Sequence, residues 1–257
     1  MITIAVLNRK GGAGKTTASI NLAAVLAKEK NKKVLLIDLD PQANATTYLG
    51  LYKNNKPSIN DVLCNGLDMN QAVKKTGVTG LSVVTSDIDF DNADLKLAFM
   101  PTGKEFILKK KLEAVKSEYD VVFLDCPPAR NNVTVNALAA SDYAVLPCEA
   151  SEFGIDSLQA MGDFISTVSS SVNSELKIAG VLFPKKEKTA VQELYENAIR
   201  SSVPYRIFET TIRKTTIVDR SLNAHEPLVV YEPKAAVTED YRNAANELLR
   251  IMEADNV

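Results

Sequence analysis

The sequence predicts an α/β domain, a doubly wound and mostly parallel sheet with helices on both faces. Six short runs of β-branched and aliphatic residues recur along the chain, at 2–7, 33–39, 81–85, 120–125, 142–147 and 178–183. Most are almost continuously hydrophobic, as strands buried on both faces must be. Stretches with helical spacing lie between them, and such alternation implies right-handed strand–helix–strand crossovers.

The first run (ITIAVL) turns polar at Asn8 and leads through glycines into a helix over 15–30 with Ala18, Leu22, Val25 and Leu26 on one side. The second run (KVLLIDL) ends in two aspartates, Asp38 and Asp40. Residues 50–100 are the least clearly patterned part, with 53–57 (KNNKP) read as a surface loop and 81–85 as the third strand. Helices are expected over 103–118, 131–140, 153–170 and 187–200, alternating with the remaining strands. A last helix over 236–253 carries the stripe Val237, Tyr241, Ala244, Ala245, Leu248, Leu249 and Met252, and the tail after it is acidic and only weakly apolar. No internal repeat or low-complexity linker interrupts the 257 residues, so one domain over 1–257 is expected.

Apolar residues make up 46% and charged residues 24%, an ordinary globular balance. A net charge of -2 leaves nucleic-acid binding open, because a basic patch can sit in a neutral total. The three cysteines (Cys64, Cys126, Cys148) are far apart and form no CxxC pair, which suits a reduced chain. With His225 as the sole histidine, a His-ligated metal cluster or a Ser-His-Asp triad is not expected. No run approaches the ~18 apolar residues of a membrane span, and the N-terminus lacks the basic region of a signal peptide. The expectation is a cytoplasmic chain.

The decisive segment is 8–17 (NRKGGAGKTT), between the first strand and its helix. A phosphate needs closely packed backbone N–H donors, and glycines let the chain fold that tightly. The helix N-terminus adds the positive end of its dipole. Gly11, Gly12, Ala13 and Gly14 form the cradle, with Thr17 closing it. Lys15 is placed to reach the β- and γ-phosphates and the Thr16 hydroxyl to ligate Mg²⁺. The strict pattern would put glycine at position 9, where this chain has Arg9, and a second lysine, Lys10, lies five residues before Lys15. Asp38, Asp40 and Asp125 end strands whose carboxyl ends face this loop. One carboxylate is needed to hold Mg²⁺ through its water shell and another to position the attacking water. Phe183 and Pro184, at a strand end, are candidate adenine contacts together with the loop 231–233. The implied ligands are ATP and Mg²⁺ on a P-loop NTPase fold.

The motif KGGAGKT (10–16), with VLLIDLDPQANAT (34–46), YDVVFLDCPPA (119–129), VNALAASDYAVLP (135–147), FET (208–210) and EPLVVYEPKAAVTEDY (226–241), resembles ParA-type partition ATPases over essentially the whole chain. The resemblance implies that Lys10 crosses a dimer interface to touch the partner's ATP, with two nucleotides sandwiched between subunits. It implies that Asp40 orients the hydrolytic water, while Asp38 and Asp125 stand on the Mg²⁺ side. A second cation per site suits the charge that builds during phosphoryl transfer. Such relatives form homodimers in the ATP state and bind DNA without sequence preference, on the nucleoid. A ParB-like or other cargo adaptor stimulates hydrolysis and releases them. Non-specific binding needs Lys and Arg on one face, and the candidates are Lys185, Lys186, Lys188, Arg206, Arg213, Lys214 and Arg220. The segments 150–158 (ASEFGIDSL) and 213–221 (RKTTIVDRS) depart from the family's usual wording. A helix-turn-helix domain before the first strand, as larger plasmid relatives have, is not expected.

Three other readings compete. A MinD-like ATPase needs a basic, bulky amphipathic C-terminal helix for the membrane, and the tail RIMEADNV is acidic. A nitrogenase-iron-protein-like reductase needs two cluster cysteines per chain, whereas Cys126 falls inside a strand end. An orphan relative that positions a protein assembly instead of DNA is not separated from partition by any residue here.

Overall fold

The computed structural model describes residues 1–100 and 102–255. Val257 and Asn256, the end of the acidic tail, lie outside the described residues. The elements in chain order are β1 (Ile2–Val6), α1 (Lys15–Glu29), β2 (Val34–Asp38), α2 (Asn44–Tyr48), α3 (Ile59–Cys64), α4 (Met69–Ala72), β3 (Val73–Lys75), β4 (Leu81–Val84) and α5 (Ala93–Ala98). There follow α6 (Ile107–Leu112), β5 (Val121–Asp125), α7 (Asn132–Ala139), β6 (Tyr143–Pro147), α8 (Glu152–Ser171), β7 (Lys177–Lys186), α9 (Ala190–Ser202), β8 (Ile207–Arg213), α10 (Thr216–Asn223), α11 (Leu228–Tyr231) and α12 (Ala236–Ala254).

The strands form one eight-stranded sheet in the order β3-β4-β2-β5-β1-β6-β7-β8. Every pairing is parallel except β3 with β4. The doubly wound expectation holds, and both sheet edges were missing from it. β3 is only three residues long, and β8 alternates in burial as an edge strand does, so neither shows the continuous apolar run of a central strand. The helix expected over 103–118 is broken. It holds two short 3₁₀ turns around α6, because its inward residues are confined to Leu108, Leu112 and Val115.

The two faces of the sheet carry separate cores. Ile4, Val6, Leu36, Phe123 and Val145 point to the side covered by α1, α11 and α12, whereas Ala5, Leu7, Leu35, Ile37, Leu124 and Leu146 point to the side covered by α3 to α9. The period-two alternation of strand side chains produces this split. Helix α1 is buried from Ala18 to Ala27 on all sides, not on one, because α12 covers its outer face. The predicted stripe of α12 is buried as expected, except that Leu249 is only half-buried.

Chain order reverses about β1, which sits between β5 and β6. In open parallel sheets a ligand crevice forms at that switch point, outside the carboxyl ends of the strands. No helix among the described residues is long and apolar enough to cross a membrane.

Candidate nucleotide site

The loop after β1 is anchored by Asn8, which is buried. Its Nδ2 donates to Pro147 O at 2.6 Å, and its Oδ1 accepts from Lys10 N at 2.9 Å and from Ser157 Oγ at 2.6 Å. The end of β6 and the first turns of α8 therefore fix where the loop begins. Gly12 and Gly14 have φ of 74° and 83°, the left-handed region that side chains avoid. A Cβ on Gly14 would also stand 3.0 Å from Pro184 Cγ. Gly14 caps α1 with no side-chain hydrogen bond, so the first-turn N–H groups of α1 are free to meet an anion.

Lys15 is 7% exposed, and its Nζ donates to Lys10 O at 3.3 Å across the loop. Burial pushes its ammonium below the ordinary lysine value, while Asp125 and Asp40 pull it back up. Lys10 points elsewhere. Its Nζ lies 2.6 Å from Glu149 Oε2 just after β6, and Lys185 Nζ lies 3.5 Å from the other oxygen of Glu149. Burial pushes Glu149 up, but the hydrogen bond and charge of Lys10, helped by Lys185, outweigh it and hold the carboxyl below its ordinary value.

The strand register brings the carboxylates together, since Asp38 of β2 stands opposite Asp125 of β5, and Asp125 stands opposite Val6 of β1. Asp38 is fully buried and occupied. It accepts from Asp40 N at 3.1 Å, Thr46 N at 2.9 Å and Thr46 Oγ1 at 2.8 Å, so it shapes the loop that carries Asp40. Asp40 is 8% exposed and close enough to act on the Lys15 charge. Asp125 accepts from Ser19 Oγ at 3.0 Å through Oδ1. The Thr16 hydroxyl is near enough to favour its ionised form, yet among the described residues the buried Oδ2 has no donor in hydrogen-bonding geometry. Burial first, and the Asp38 charge second, push Asp125 above the carboxylate range. A buried carboxylate with an orphaned oxygen, beside a threonine hydroxyl and beneath a phosphate cradle, fits a hard divalent cation. Thr16 and Asp125 are the residues that would hold it, with Asp38 behind them.

A pocket of about 220 Å³ opens beside the start of α1, walled by Pro184, Ile212, Val218 and Tyr241, with Thr17, Thr215, Asp219 and the basic Lys185, Arg213 and Lys214 as polar neighbours. Its mixed apolar and polar walls, next to the phosphate cradle, suit a planar base with a sugar. Pro184 lines it. Phe183 is buried under the Arg200 guanidinium, and the loop 231–233 is not among the lining residues. A larger, shallower hollow of about 460 Å³ around Lys33, Lys75 and Tyr119 lies beyond the amino ends of the strands, away from the loop.

Lys185, Lys186, Lys188, Arg213, Lys214 and Arg220 lie at or after the carboxyl ends of β7 and β8, whereas Arg206 stands before the amino end of β8, away from them, and most of the seven carry partners. Lys186 pairs with Glu196, and Arg213 holds Asp240 through Nε at 2.7 Å and Nη2 at 2.8 Å. Lys214 meets Glu187 at 2.7 Å, and Arg206 meets Asp255 at 3.7 Å. Lys185 donates to Gly12 O at 2.7 Å besides facing Glu149. Lys188 and Arg220 make no ion pair among the described residues.

A family model described as an AAA domain matches residues 1–178. The sporulation initiation inhibitor protein Soj of Bacillus subtilis is 34% identical over 250 residues, 95% of this chain and 97% of that protein. The chain belongs to the ParA/Soj family of partition ATPases. The chromosome partitioning protein ParA of Myxococcus xanthus is 31% identical over 251 residues, 96% of this chain and 87% of that relative. Among solved structures, cobyrinic acid a,c-diamide synthase from Mycobacterium smegmatis, with a bound ATP analog and magnesium, superposes with a TM-score of 0.87. It is 27% identical, and the match covers 99% of this chain and 97% of that one.

Several residues of this ParA-family site escaped the sequence. Asn8, Ser19 and Thr46 brace the loop and the carboxylates through contacts that depend on strand register, and Glu149 meets Lys10 across 139 positions. The pocket wall from α10 has no motif that marks it. Asn8 and Thr46 stand inside the segments 8–17 and 34–46 but carried no assigned role there, and Ser19 stands one turn after Lys15, the only local signal that it carried.

Proposed function

We propose that this chain is a Mg²⁺-dependent partition ATPase that dimerises when ATP is bound, holds duplex DNA without sequence preference in that state, and lets go when a ParB-like adaptor stimulates hydrolysis. One observation carries the reading. The free N-terminus of α1, the buried Lys15 and the orphaned Asp125 oxygen converge at one switch point of the sheet, while Lys10 remains at the rim, 39% exposed by side chain. The solved relative with an ATP analog and magnesium supports the choice of nucleotide and metal.

In this reading the N–H groups of 11–16 grip the phosphates and Lys15 neutralises the β- and γ-oxygens. The adenosine lies along Pro184, Ile212 and Tyr241. Magnesium, when bound, supplies charge neutralisation between the phosphates. Thr16 and Asp125 present oxygens to it, and Asp38 keeps the 39–46 loop in shape so that Asp40 faces the incoming water. Lys10 leaves Glu149 and crosses to the partner's phosphates. Lys188 and Arg220, with Lys185, Lys186, Arg213 and Lys214 once their carboxylates let go, form the DNA face. The chain acts in the cytoplasm and collects on the nucleoid in its ATP form.

A second reading has one observation in its favour. Five of the seven basic candidates already carry carboxylate partners, which suits a relative that positions a protein assembly and does not touch DNA. Binding to random-sequence duplex DNA at moderate salt, with ATP, ADP or no nucleotide, separates the two. Partition on DNA requires binding with ATP alone, kept in Asp40→Ala and lost in Lys10→Ala. ATP-driven dimers that hold no DNA at any salt transfer the chain to the second reading.

A further inference from the structure

Helix α10 forms one wall of the base pocket, yet it is thinly attached to the rest of the domain. Val218 and Asp219 line that pocket, with Thr215, the N-cap of α10, beside them. Of the eight residues of α10 only Ser221 is buried, while Ile217 and Val218 pack partly against the core. A buried hydroxyl needs partners, and Ser221 has two. Its Oγ donates to Val218 O at 2.9 Å and lies 2.5 Å from Tyr48 Oη. The serine has one proton and the carbonyl takes it, so Tyr48 is the donor of the second bond. Burial pushes the Tyr48 phenol above its ordinary value, and Ser221 and Asn21 offset this only in part, so the phenol keeps the proton that it donates.

Tyr48 ends the short helix α2, which grows directly out of the loop of Asp40. In that loop Gln42 N donates to Asp40 Oδ1 at 3.0 Å, and Ala43 N donates to Asp40 O at 2.9 Å. Thr46, two residues before Tyr48, is fixed on Asp38 through its N–H and its hydroxyl. A second strut runs beside the first. His225 Nδ1, just past α10, lies 2.7 Å from Thr47 O, and since a carbonyl only accepts, the ring nitrogen donates. Packing alone would be served by phenylalanine at position 48, whose ring would be as well buried. The hydroxyl adds the bond to α10.

On the premise that the pocket takes adenine and Asp40 orients the water, as proposed above, we infer that Tyr48 is a positioning residue. Through Ser221 it holds the wall of the base pocket to the loop that carries Asp40, so that a bound base steadies this loop. The series Tyr48 Oη, Ser221 Oγ, Val218 O ends on a residue of the pocket wall itself. A base against Val218 restrains α10, and a restrained α10 leaves α2 less room, because parting them strands a buried hydroxyl. Tyr48 does not line the pocket and acts only through its neighbours.

The test is amide exchange in the full chain, read at Thr46, Thr47 and Leu49, whose N–H groups are hydrogen-bonded in and around α2. Two probes are compared at saturation. ADP without magnesium fills the pocket and the cradle but offers the Asp40 loop neither a γ-phosphate nor a metal, and pyrophosphate fills the cradle alone. In the parent, ADP is expected to slow exchange at these amides by about threefold or more, the contribution of one hydrogen bond, and pyrophosphate to have little effect. In Tyr48→Phe and in Ser221→Ala the ratio between free and ADP-bound rates falls to about one, and joining the two substitutions changes it no further. Circular dichroism checks the fold, and Tyr48→Phe keeps the ring that fills the core. A bond that merely braces the fold speeds exchange equally with and without ADP, so the ratio keeps its parent value, and that result overturns the proposal. So does equal protection by pyrophosphate, or a parent that binds ADP without protection. A chain that takes up no ADP in a fluorescent-nucleotide titration contradicts the proposed function and the role of Tyr48 together, whereas uptake with an unchanged ratio contradicts the role of Tyr48 alone.

Discussion

Replacing Glu149 by Gln removes the charge that holds Lys10 in its own subunit while keeping the side chain's shape. In the free chain Lys10 Nζ lies 2.6 Å from Glu149 Oε2, with side-chain exposures of 39% and 29%, and Lys185 adds a weaker contact at 3.5 Å. Partly exposed pairs of this kind contribute about 0.5–1 kcal/mol. Each subunit must break one such pair for its lysine to cross, so a dimer gives up about 1–2 kcal/mol. Since each 1.4 kcal/mol is about tenfold, Glu149→Gln tightens the ATP-state dimer by about 5- to 30-fold. Sedimentation velocity across a dilution series with a non-hydrolysable ATP analogue measures this. Glu149 is held below its ordinary 4.5, so the bridge contributes fully above that value and fades only as pH falls through the lower folded one. The difference between variant and parent is therefore flat from about pH 6 to 8. An unchanged or weaker dimer in Glu149→Gln refutes the latch and shows that Glu149 acts within the interface.

Asp125→Asn relieves a buried carboxylate whose folded value is raised by burial and by Asp38, a group whose penalty grows as pH rises from the ordinary carboxylate value to that raised one and levels off above it. The nucleotide-free variant is expected to gain about 1–2 kcal/mol at pH 8 in denaturant melts while losing Mg²⁺-dependent nucleotide binding. Gly14→Ala forces a side chain into φ 83° and 3.0 Å from Pro184 Cγ. It is expected to weaken nucleotide binding about tenfold or more, at about 1–2 kcal/mol of strain, as read by fluorescent-nucleotide titration. Glu247→Ala removes the carboxylate that accepts Glu209 N at 2.7 Å and Thr210 N at 3.0 Å on the outer edge of β8. A loss of about 2 kcal/mol lowers the melting midpoint by about 4–8 °C, and light scattering rises as the edge is freed to pair with other chains.

The central strands and the phosphate loop were legible because their signals are local. Continuous apolar runs end at Asp38 and Asp125, and the glycines, Lys15 and Thr16 stand side by side in the chain. β8 was not legible. As an edge strand it alternates Phe208 and Ile212 inward with polar residues, and it owes part of its pairing to Glu247 on a distant helix. The segment 88–99 defeated periodicity for the opposite reason, since apolar residues on two faces blur a helical stripe. The basic residues were named from the resemblance and their place after the last strands, but whether each is free depends on carboxylates such as Glu196 and Asp240 that only the fold brings to them.

The central claim is that the loop at 8–17 binds ATP and uses Lys10 across a dimer, and it is tested most directly by the mass of the protein in solution with each nucleotide. The account predicts monomers with ADP or no nucleotide and dimers with ATP, with the dimer accumulating in Asp40→Ala and absent in Lys10→Ala although that variant still binds ATP. A chain that stays monomeric with ATP in Asp40→Ala, or a Lys10→Ala variant that dimerises as the parent does, contradicts it.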